Sequence, residues 1–391
     1  MKIALVRQRY RVGGGAERSL EVLMGELVSR GHEVCLFANR WDAPKIDGVT
    51  FHRVPVIGGL SFLRVLSFAA FSSFQVRRMD FDIVHSFDRT LCQHIYRAGD
   101  GCHREWLIQR HRAVPWRRAF DAMNPLHRSI LFLERRIFAP GRGRVIANCK
   151  KVKEQIVRHY GMPDSFISVI YNGVDLDRFH PQDRDRLRLP VREALGFSRD
   201  DMILLLVGSG FERKGVRYLI QGAAEALARM ARKVPLRLLV AGKGNPQAYL
   251  ALAERLGMEG RLSFIGVWPR IEELYAVSDV FVLPTIYDPF ANACLEAMAC
   301  GLPVITTASN GVSELIVDGY NGFILSDPTD HQGLAARILD LADQDRRSSM
   351  GLEARKVAEH FPMGRHVQGI LTLYRQVVAE RRDTPCSPGA R

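Results

Sequence analysis

Val280-Phe281-Val282-Leu283 is an apolar run that leads into two prolines, and this junction constrains the fold more than any other stretch. The run reads as a buried strand. Pro284 and Pro289 end it and forbid an early helix, because proline lacks an N–H and biases the residue before it towards extended backbone. From about Phe290 the apolar spacing becomes helical, and Gly301 with Pro303 closes the helix. Two carboxylates then stand on different supports: Asp288 on the loop at the strand end, Glu296 about two turns inside the helix. Between them lies a helix N-terminus, whose free N–H groups and positive dipole end suit an anion such as a diphosphate. A carboxylate on each side can accept hydrogen bonds from sugar hydroxyls. A sugar-diphosphate-nucleoside carries these groups in that order; an ordinary strand-loop-helix with a capping acid is the other reading of the same residues.

The strand-loop-helix unit recurs along the chain. Residues 3–6 are an apolar run, followed by Gly13, Gly14 and Gly15 and a helical pattern through Leu20, Leu23, Met24 and Leu27; residues 34–38 read as the next strand. A βαβ opening implies a parallel sheet with helices on both faces. The glycine loop is no dinucleotide motif, since Arg18 stands at the sixth position of G-x-G-x-x-G. It is either a tight turn or a place where backbone approaches a ligand. Strands also read at residues 49–56 and 81–85. Residues 60–79 form an apolar helix whose Phe62, Phe68, Phe71 and Phe74 are expected in the core. His85 and Asp88 stand at the carboxyl edge of a strand, where ligands of open sheets gather. Asp100, between Gly99 and Gly101 after the apolar residues 94–98, is either turn chemistry or an acid offered to a substrate hydroxyl.

A second series opens with residues 203–207, whose strand end carries Gly208-Ser209-Gly210-Phe211-Glu212-Arg213-Lys214-Gly215. No G-x-x-x-x-G-K-[ST] loop can be placed on it. Arg213 and Lys214, at the start of a helix, make a cation pair able to neutralise a diphosphate. Strands near 236–241, 261–265, 279–283 and 303–306 alternate with helices, helical patterns run from 332 to 361, and a last helix covers about 365–381. Residues 181–200 are polar and charged and read as a linker or surface excursion. The chain of 391 residues is therefore expected to form two α/β domains, 1–172 with the C-terminal helix 365–382, and 173–364, followed by a flexible tail 383–391.

Charge adds a second constraint. Residues 101–160 hold 14 Lys and Arg against 4 Asp and Glu, most of the net +13. From Arg104 to Arg144 aromatic and basic side chains interleave, among them Trp106, Arg110, Arg112, Trp116, Arg117 and Arg118, on what reads as one helical stretch. Such a surface suits an anionic bilayer, single-stranded nucleic acid or plain solvation. Seven cysteines at 35, 92, 102, 149, 294, 300 and 386 include no C-x-x-C pair, which argues against a disulfide framework or zinc site. No apolar run approaches the roughly 20 residues of a membrane span, and no signal peptide is visible, so a cytoplasmic location is expected.

These motifs resemble retaining glycosyltransferases of the family-4 type with the GT-B fold. Asp288-x7-Glu296 is similar to their E-x7-E motif, with an Asp one methylene shorter in first place, and "EAMACGLPVITT", "NGVDLDRF" and "GSGFERKGV" are similar to their strings. More narrowly, the chain resembles lipopolysaccharide core α-glucosyltransferases, although Val267 stands after Gly266 where those carry an Arg. The resemblance implies two Rossmann-like domains facing each other across a cleft that holds a nucleotide sugar, UDP-glucose first. UDP-hexosamine, GDP-mannose and ADP-heptose remain alternatives for the donor. It implies donor contacts from Gly15, Arg178, Gly208, Arg213, Lys214, Asp288, Phe290, Ala291, Asn292 and Glu296. Asp100, Arg213, Lys214 and Asp288 would serve in catalysis, Glu296 on the ribose and Asp288 on sugar hydroxyls. It further implies no cofactor and no metal, with Asp175 and Asp177 as linker chemistry. The basic segment would face an anionic membrane, the acceptor would be an anionic glycolipid, and the enzyme would sit peripherally at the inner membrane. No nucleic-acid partner is expected. A nucleotide-sugar-binding protein without turnover and a nucleic-acid-binding protein are the readings from other classes.

Overall fold

The structure, a computed structural model, describes residues 1–11, 15–42, 46–112, 121, 123–230 and 235–383. The chain divides into two compact units, Met1–Gly173 with Met363–Arg391, and Val174–Pro362. The tail read as flexible lies, from residue 384 on, outside the described residues.

The first unit is built on a seven-stranded sheet, in the order Val49–Arg53, Glu33–Ala38, Lys2–Val6, Ile83–Ser86, Ile95–Ala98, Arg144–Ala147 and Ile167–Val169. All its pairings are parallel. Parallel neighbours need crossovers that place helices on both faces, and both faces are covered. On one face Leu20, Leu23, Met24 and Leu27 pack with Val367, Ile370, Leu371, Tyr374 and Val377 of the last helix, Met363–Asp383. On the other, Phe68 and Val76 of the helix Ser61–Arg77 meet Val6, Phe37 and Val84. That helix buries less than its composition led one to expect. Phe68 is buried, but Phe71 and Phe74 are exposed, and the Arg78 guanidinium lies 3.9 Å over the Phe74 ring. The helix has one sheet-facing side, so phenylalanines around its circumference cannot all be covered.

The second unit holds a six-stranded parallel sheet in the order Leu262–Gly266, Leu236–Ala241, Met202–Val207, Val280–Leu283, Val304–Thr307 and Gly322–Leu325. Both sheets are thus doubly wound. The chain builds outward from Met202–Val207, then returns to place Val280–Leu283 on its other side. The carboxyl ends of these two strands flank a topological switch point, where open α/β sheets bind ligands.

The structure corrects two expectations. Residues 181–200 are no linker: they form the helix Asp183–Ala194, and Arg184, Arg188 and Arg192 reach Asp279 at 3.2, 2.7 and 2.8 Å. Four-residue spacing puts the three on one face, and Arg192 is 1% exposed. The basic aromatic segment is also not one helix. Its described parts are the helices His103–Arg110 and Pro125–Ile137, the second opened by an Asn124 cap and Pro125 at its first turn.

Candidate active site

At the end of Met202–Val207 the chain passes Gly208 and enters the one-turn helix Phe211–Lys214, bracketed by Gly210 and Gly215 at φ of 80° and 79°. Only glycine adopts that left-handed backbone at little cost. Gly215 also lies so close to Pro284 O that an added Cβ would overlap it. Arg213 and Lys214 therefore sit in the last turn of this short helix, and not at the start of the following one, Val216–Arg229. The Arg213 carbonyl is pinned by the Thr285 hydroxyl at 2.7 Å and the Ile286 amide at 2.9 Å, both on the loop after Val280–Leu283.

That loop carries Asp288, which is 6% exposed. Lys214 Nζ donates to its Oδ2 at 2.6 Å and Arg213 Nη1 at 3.2 Å. Burial would raise the carboxyl pKa, but the Lys214 and Arg213 charges outweigh it and hold Asp288 below its ordinary value. Its Oδ1 accepts from the Phe290 amide at 3.3 Å, and its carbonyl from the Gly311 amide at 2.9 Å. Gly208 serves this pair directly. A Cβ there would lie 2.7 Å from Lys214 Cε.

The motif helix spans Asn292–Ala299. Two of the amides expected to receive phosphate already have acceptors within the chain: Phe290 meets Asp288, and Ala291 meets Asn310 Oδ1 at 3.2 Å. Asn310, fully buried, also donates to Thr306 at 2.9 Å. Sequence reasoning noted its neighbourhood but gave it no role; an Asn before the glycine of a short helix is the capping signal that could have found it. Glu296 accepts from the Tyr275 hydroxyl at 2.7 Å. Burial raises its pKa despite that bond and the nearby Arg178 charge. Arg178 itself is bound to Glu272, with Nε at 2.9 Å and Nη2 at 2.8 Å. Lys214, Arg213, Asp288, Glu296 and Arg178 thus share the second unit.

The remaining predicted residues belong to the first unit. Gly15 opens the helix Gly15–Ser29, whereas Gly13 and Gly14 lie outside the described residues. Asp100 is exposed, 3.8 Å from Arg89 Nη1. His85 faces the core: it is fully buried, bonded to the Tyr374 hydroxyl at 2.7 Å, and burial drives its pKa well down. Trp106 is half-buried, with the Arg110 guanidinium 5.9 Å from its ring, and Arg112 is exposed. Trp116, Arg117 and Arg118 lie outside the described residues. Among the described residues no group of three or more His, Cys, Asp or Glu is placed to hold a metal ion, and no helix is long and apolar enough to cross a membrane.

Two family models match the chain, Glycosyltransferase Family 4 over residues 13–178 and Glycosyl transferases group 1 over residues 189–357. The lipopolysaccharide glucosyltransferase WaaG of Escherichia coli K12 is 26% identical, over 85% of this chain and 87% of its own. The D-inositol 3-phosphate glycosyltransferase of Rhodococcus opacus is 30% identical over 59% of this chain and 53% of its own length. Among solved structures, WaaG, described as a glycosyltransferase involved in lipopolysaccharide biosynthesis, superposes with a TM-score of 0.84 at 23% identity, covering 95% of this chain and 99% of that one. Anabaena HepE in complex with UDP and glucose gives 0.72 at 19% identity, covering 96% and 99%. At that identity the structures speak for the fold alone. The two family matches lie one on each Rossmann-like unit, and the motif residues come together at the second unit's switch point: the chain belongs to the family 4, group 1 glycosyltransferases and is an enzyme of the GT-B fold.

Proposed function

We propose that this enzyme is a retaining hexosyltransferase that moves glucose from UDP-glucose onto a lipopolysaccharide core or related glycolipid acceptor at the anionic inner-membrane surface. The observation that carries the reading is the buried Asp288 held between Lys214 and Arg213, with Glu296 on the helix that follows. Two cations on one carboxylate leave a positive balance for a diphosphate. The likeness to the glucosyltransferase WaaG over most of both chains supports glucose and the acceptor class. The UDP complex of HepE supports the base. The basic segment, with Arg110 and Arg112 exposed, supports an anionic surface.

In this reaction the acceptor oxygen bonds to the anomeric carbon on the face from which the diphosphate leaves. The carbon–oxygen bond to the diphosphate breaks with its electron pair, and the acceptor proton passes to the departing phosphate. Arg213 and Lys214 stabilise the charge that develops there, an effect of about 3–4 kcal/mol per well-placed donor in comparable oxyanion sites. Asp288 receives sugar hydroxyls, Glu296 the ribose, and Arg178 borders the donor. The Phe290 and Ala291 amides are engaged within the chain, so the diphosphate is held chiefly by Arg213 and Lys214. With two protein cations in place, turnover is proposed to need no metal.

A second reading, transfer to a phosphorylated cyclitol, is favoured by the 30% identity to the D-inositol 3-phosphate enzyme. One assay separates the two. The enzyme is given UDP-glucose, UDP-N-acetylglucosamine, GDP-mannose or ADP-heptose, with truncated inner-core lipopolysaccharide or D-inositol 3-phosphate, and products are weighed by mass spectrometry with and without EDTA. One hexose added to the core from UDP-glucose, undiminished by EDTA, is expected. Transfer only to the cyclitol phosphate, or none, contradicts the first reading.

A further inference from the structure

Asn310 is fully buried, and its side chain spends both acceptor sites and both donors within the second unit. Its Oδ1 accepts from the Ala291 and Val312 amides, each at 3.2 Å. Its Nδ2 donates to Thr306 Oγ1 at 2.9 Å and to Cys294 Sγ at 3.3 Å. Backbone amides only donate, so these two settle which end of the side chain is the oxygen. Thr306, also fully buried, stands on the strand Val304–Thr307 and donates its own hydroxyl to the Leu283 carbonyl at 2.8 Å.

Leu283 ends the strand before Asp288, and Ala291 precedes the motif helix Asn292–Ala299. Residues 284–290, which carry Asp288, therefore hang between two points fastened to one side chain: Leu283 through Thr306, and Ala291 directly. The middle of the segment is held by the sequence neighbours of Asn310. The Asp288 amide donates to the Ser309 carbonyl at 3.3 Å, and the Asp288 carbonyl accepts from the Gly311 amide at 2.9 Å. Cys294 ties the first turn of the motif helix to the same hub, as a neutral thiol, since burial pushes it up to about 12. Lys214 and Arg213 hold the Asp288 carboxylate; Asn310 holds the backbone that carries it. A buried network satisfied at every member is rigid, and removing its hub leaves several buried groups unpaired at once.

We propose that Asn310 is a positioning residue for the transfer: through Thr306, Ala291 and its flanking backbone it holds the Asp288 loop where the carboxylate meets the donor sugar. The inference rests on the glycosyl-transfer reading above and adds to it the group that sets the sugar-binding acid. Steady-state kinetics with UDP-glucose and truncated inner-core lipopolysaccharide test it in Asn310→Ala, Thr306→Val, Thr306→Ser and the combined Asn310→Ala and Thr306→Val variant. Each is assayed at a temperature at which circular dichroism shows it folded, beside inhibition by UDP alone. Asn310→Ala and Thr306→Val are expected to lower kcat about tenfold to a hundredfold, the range for a reacting group misplaced by ~1 Å. UDP inhibition should stay as in wild type, because UDP has no sugar for Asp288 to hold. Thr306→Ser keeps the hydroxyl and should return most of the rate. The combined variant should be no worse than the poorer single one, since both cut one chain of hydrogen bonds. If Asn310→Ala fails to fold, the contrast between Thr306→Val and Thr306→Ser decides. Folded variants that melt lower yet keep the wild-type kcat overturn the positioning role alone, and so does a loss of UDP inhibition equal to the loss of kcat. No transfer by the wild type sinks the reading beneath, and the positioning role with it.

Discussion

Lys214 Nζ lies 2.6 Å from Asp288 Oδ2, joining positions 74 apart in sequence across the switch point of the second sheet. Each group is the other's main answer to burial. The lysine side chain is 10% exposed and the carboxylate 7%, so neither is solvated as a free charge would be. The pair ties the Gly208–Gly215 loop to the loop that opens the motif helix, and in the proposed transfer it would set the distance between the cation given to the phosphate and the acid given to the sugar hydroxyls.

Lys214→Ala leaves Asp288 buried with the longer Arg213 contact and the Phe290 amide in place of its nearest cation. Breaking one side of a buried pair costs about 3–5 kcal/mol. Urea denaturation should show a loss of that order together with loss of transfer. An unchanged midpoint would mean the pair is not buried in solution.

Gly208→Ala should act on the same pair from beneath. Its Cβ would lie 2.7 Å from Lys214 Cε, so the lysine stem must move. The expected result is a folded protein by circular dichroism whose UDP-induced thermal shift falls by more than half. A full shift would show that the stem bends round the methyl and keeps its place.

Glu296→Gln should separate stability from activity. Burial raises the Glu296 pKa in the folded state, so the wild type gives up stability as pH rises through the ordinary carboxylate range, and retains all of it below. The Gln variant keeps an acceptor for the Tyr275 hydroxyl and sheds the buried charge. It should melt above wild type at pH 7, by on the order of 1 °C or more, match it near pH 4, and transfer poorly. A lower melting temperature at pH 7 would contradict the assigned direction.

Arg192→Ala should be among the most damaging substitutions away from the site. Arg192 donates to the Val277, Ser198, Arg199 and Asp201 carbonyls and to Asp279. Burial would raise the Asp279 pKa, but Arg188, the Ile203 amide, Arg192 and Arg184 hold it below its ordinary value. Its contribution is present at neutral pH and is lost as pH falls through that lowered value. Arg192→Ala should cost about 3–5 kcal/mol at pH 7, and the difference from wild type should narrow in acid. A constant difference down to the lowest pH at which the protein folds would show that Asp279 plays no part in the loss.

The strand Val280–Leu283, its proline stop and the helix closed at Gly301 were legible because each is written in neighbouring residues. So was the alternation that makes both sheets parallel. What local pattern could not supply is partnership at long range. Residues 181–200 read as a linker or surface excursion, since the acceptor of Arg184, Arg188 and Arg192, Asp279, is some ninety positions away. Arg213 and Lys214 looked like the start of a helix because nothing local shows that Gly210 and Gly215 both turn left-handed around a single turn. The Ala291 amide, expected to receive phosphate, looked open because its acceptor, Asn310, comes from the following strand's loop. Phe71 and Phe74 were placed in the core by composition, which cannot say how much of a helix a sheet will cover.

Nucleotide-sugar binding through the cations of the second unit underlies every step of the proposed transfer. Arg213 is the residue to remove, because its side chain is 37% exposed and its loss leaves the Lys214–Asp288 bond in place. The measurement is the thermal shift produced by UDP-glucose in wild type and in Arg213→Ala. At about 100 times its dissociation constant a ligand adds roughly 2.7 kcal/mol, so a clear rise in wild type, largely lost in Arg213→Ala, is the predicted result. An equal rise in both proteins would place the diphosphate elsewhere and contradict the central claim.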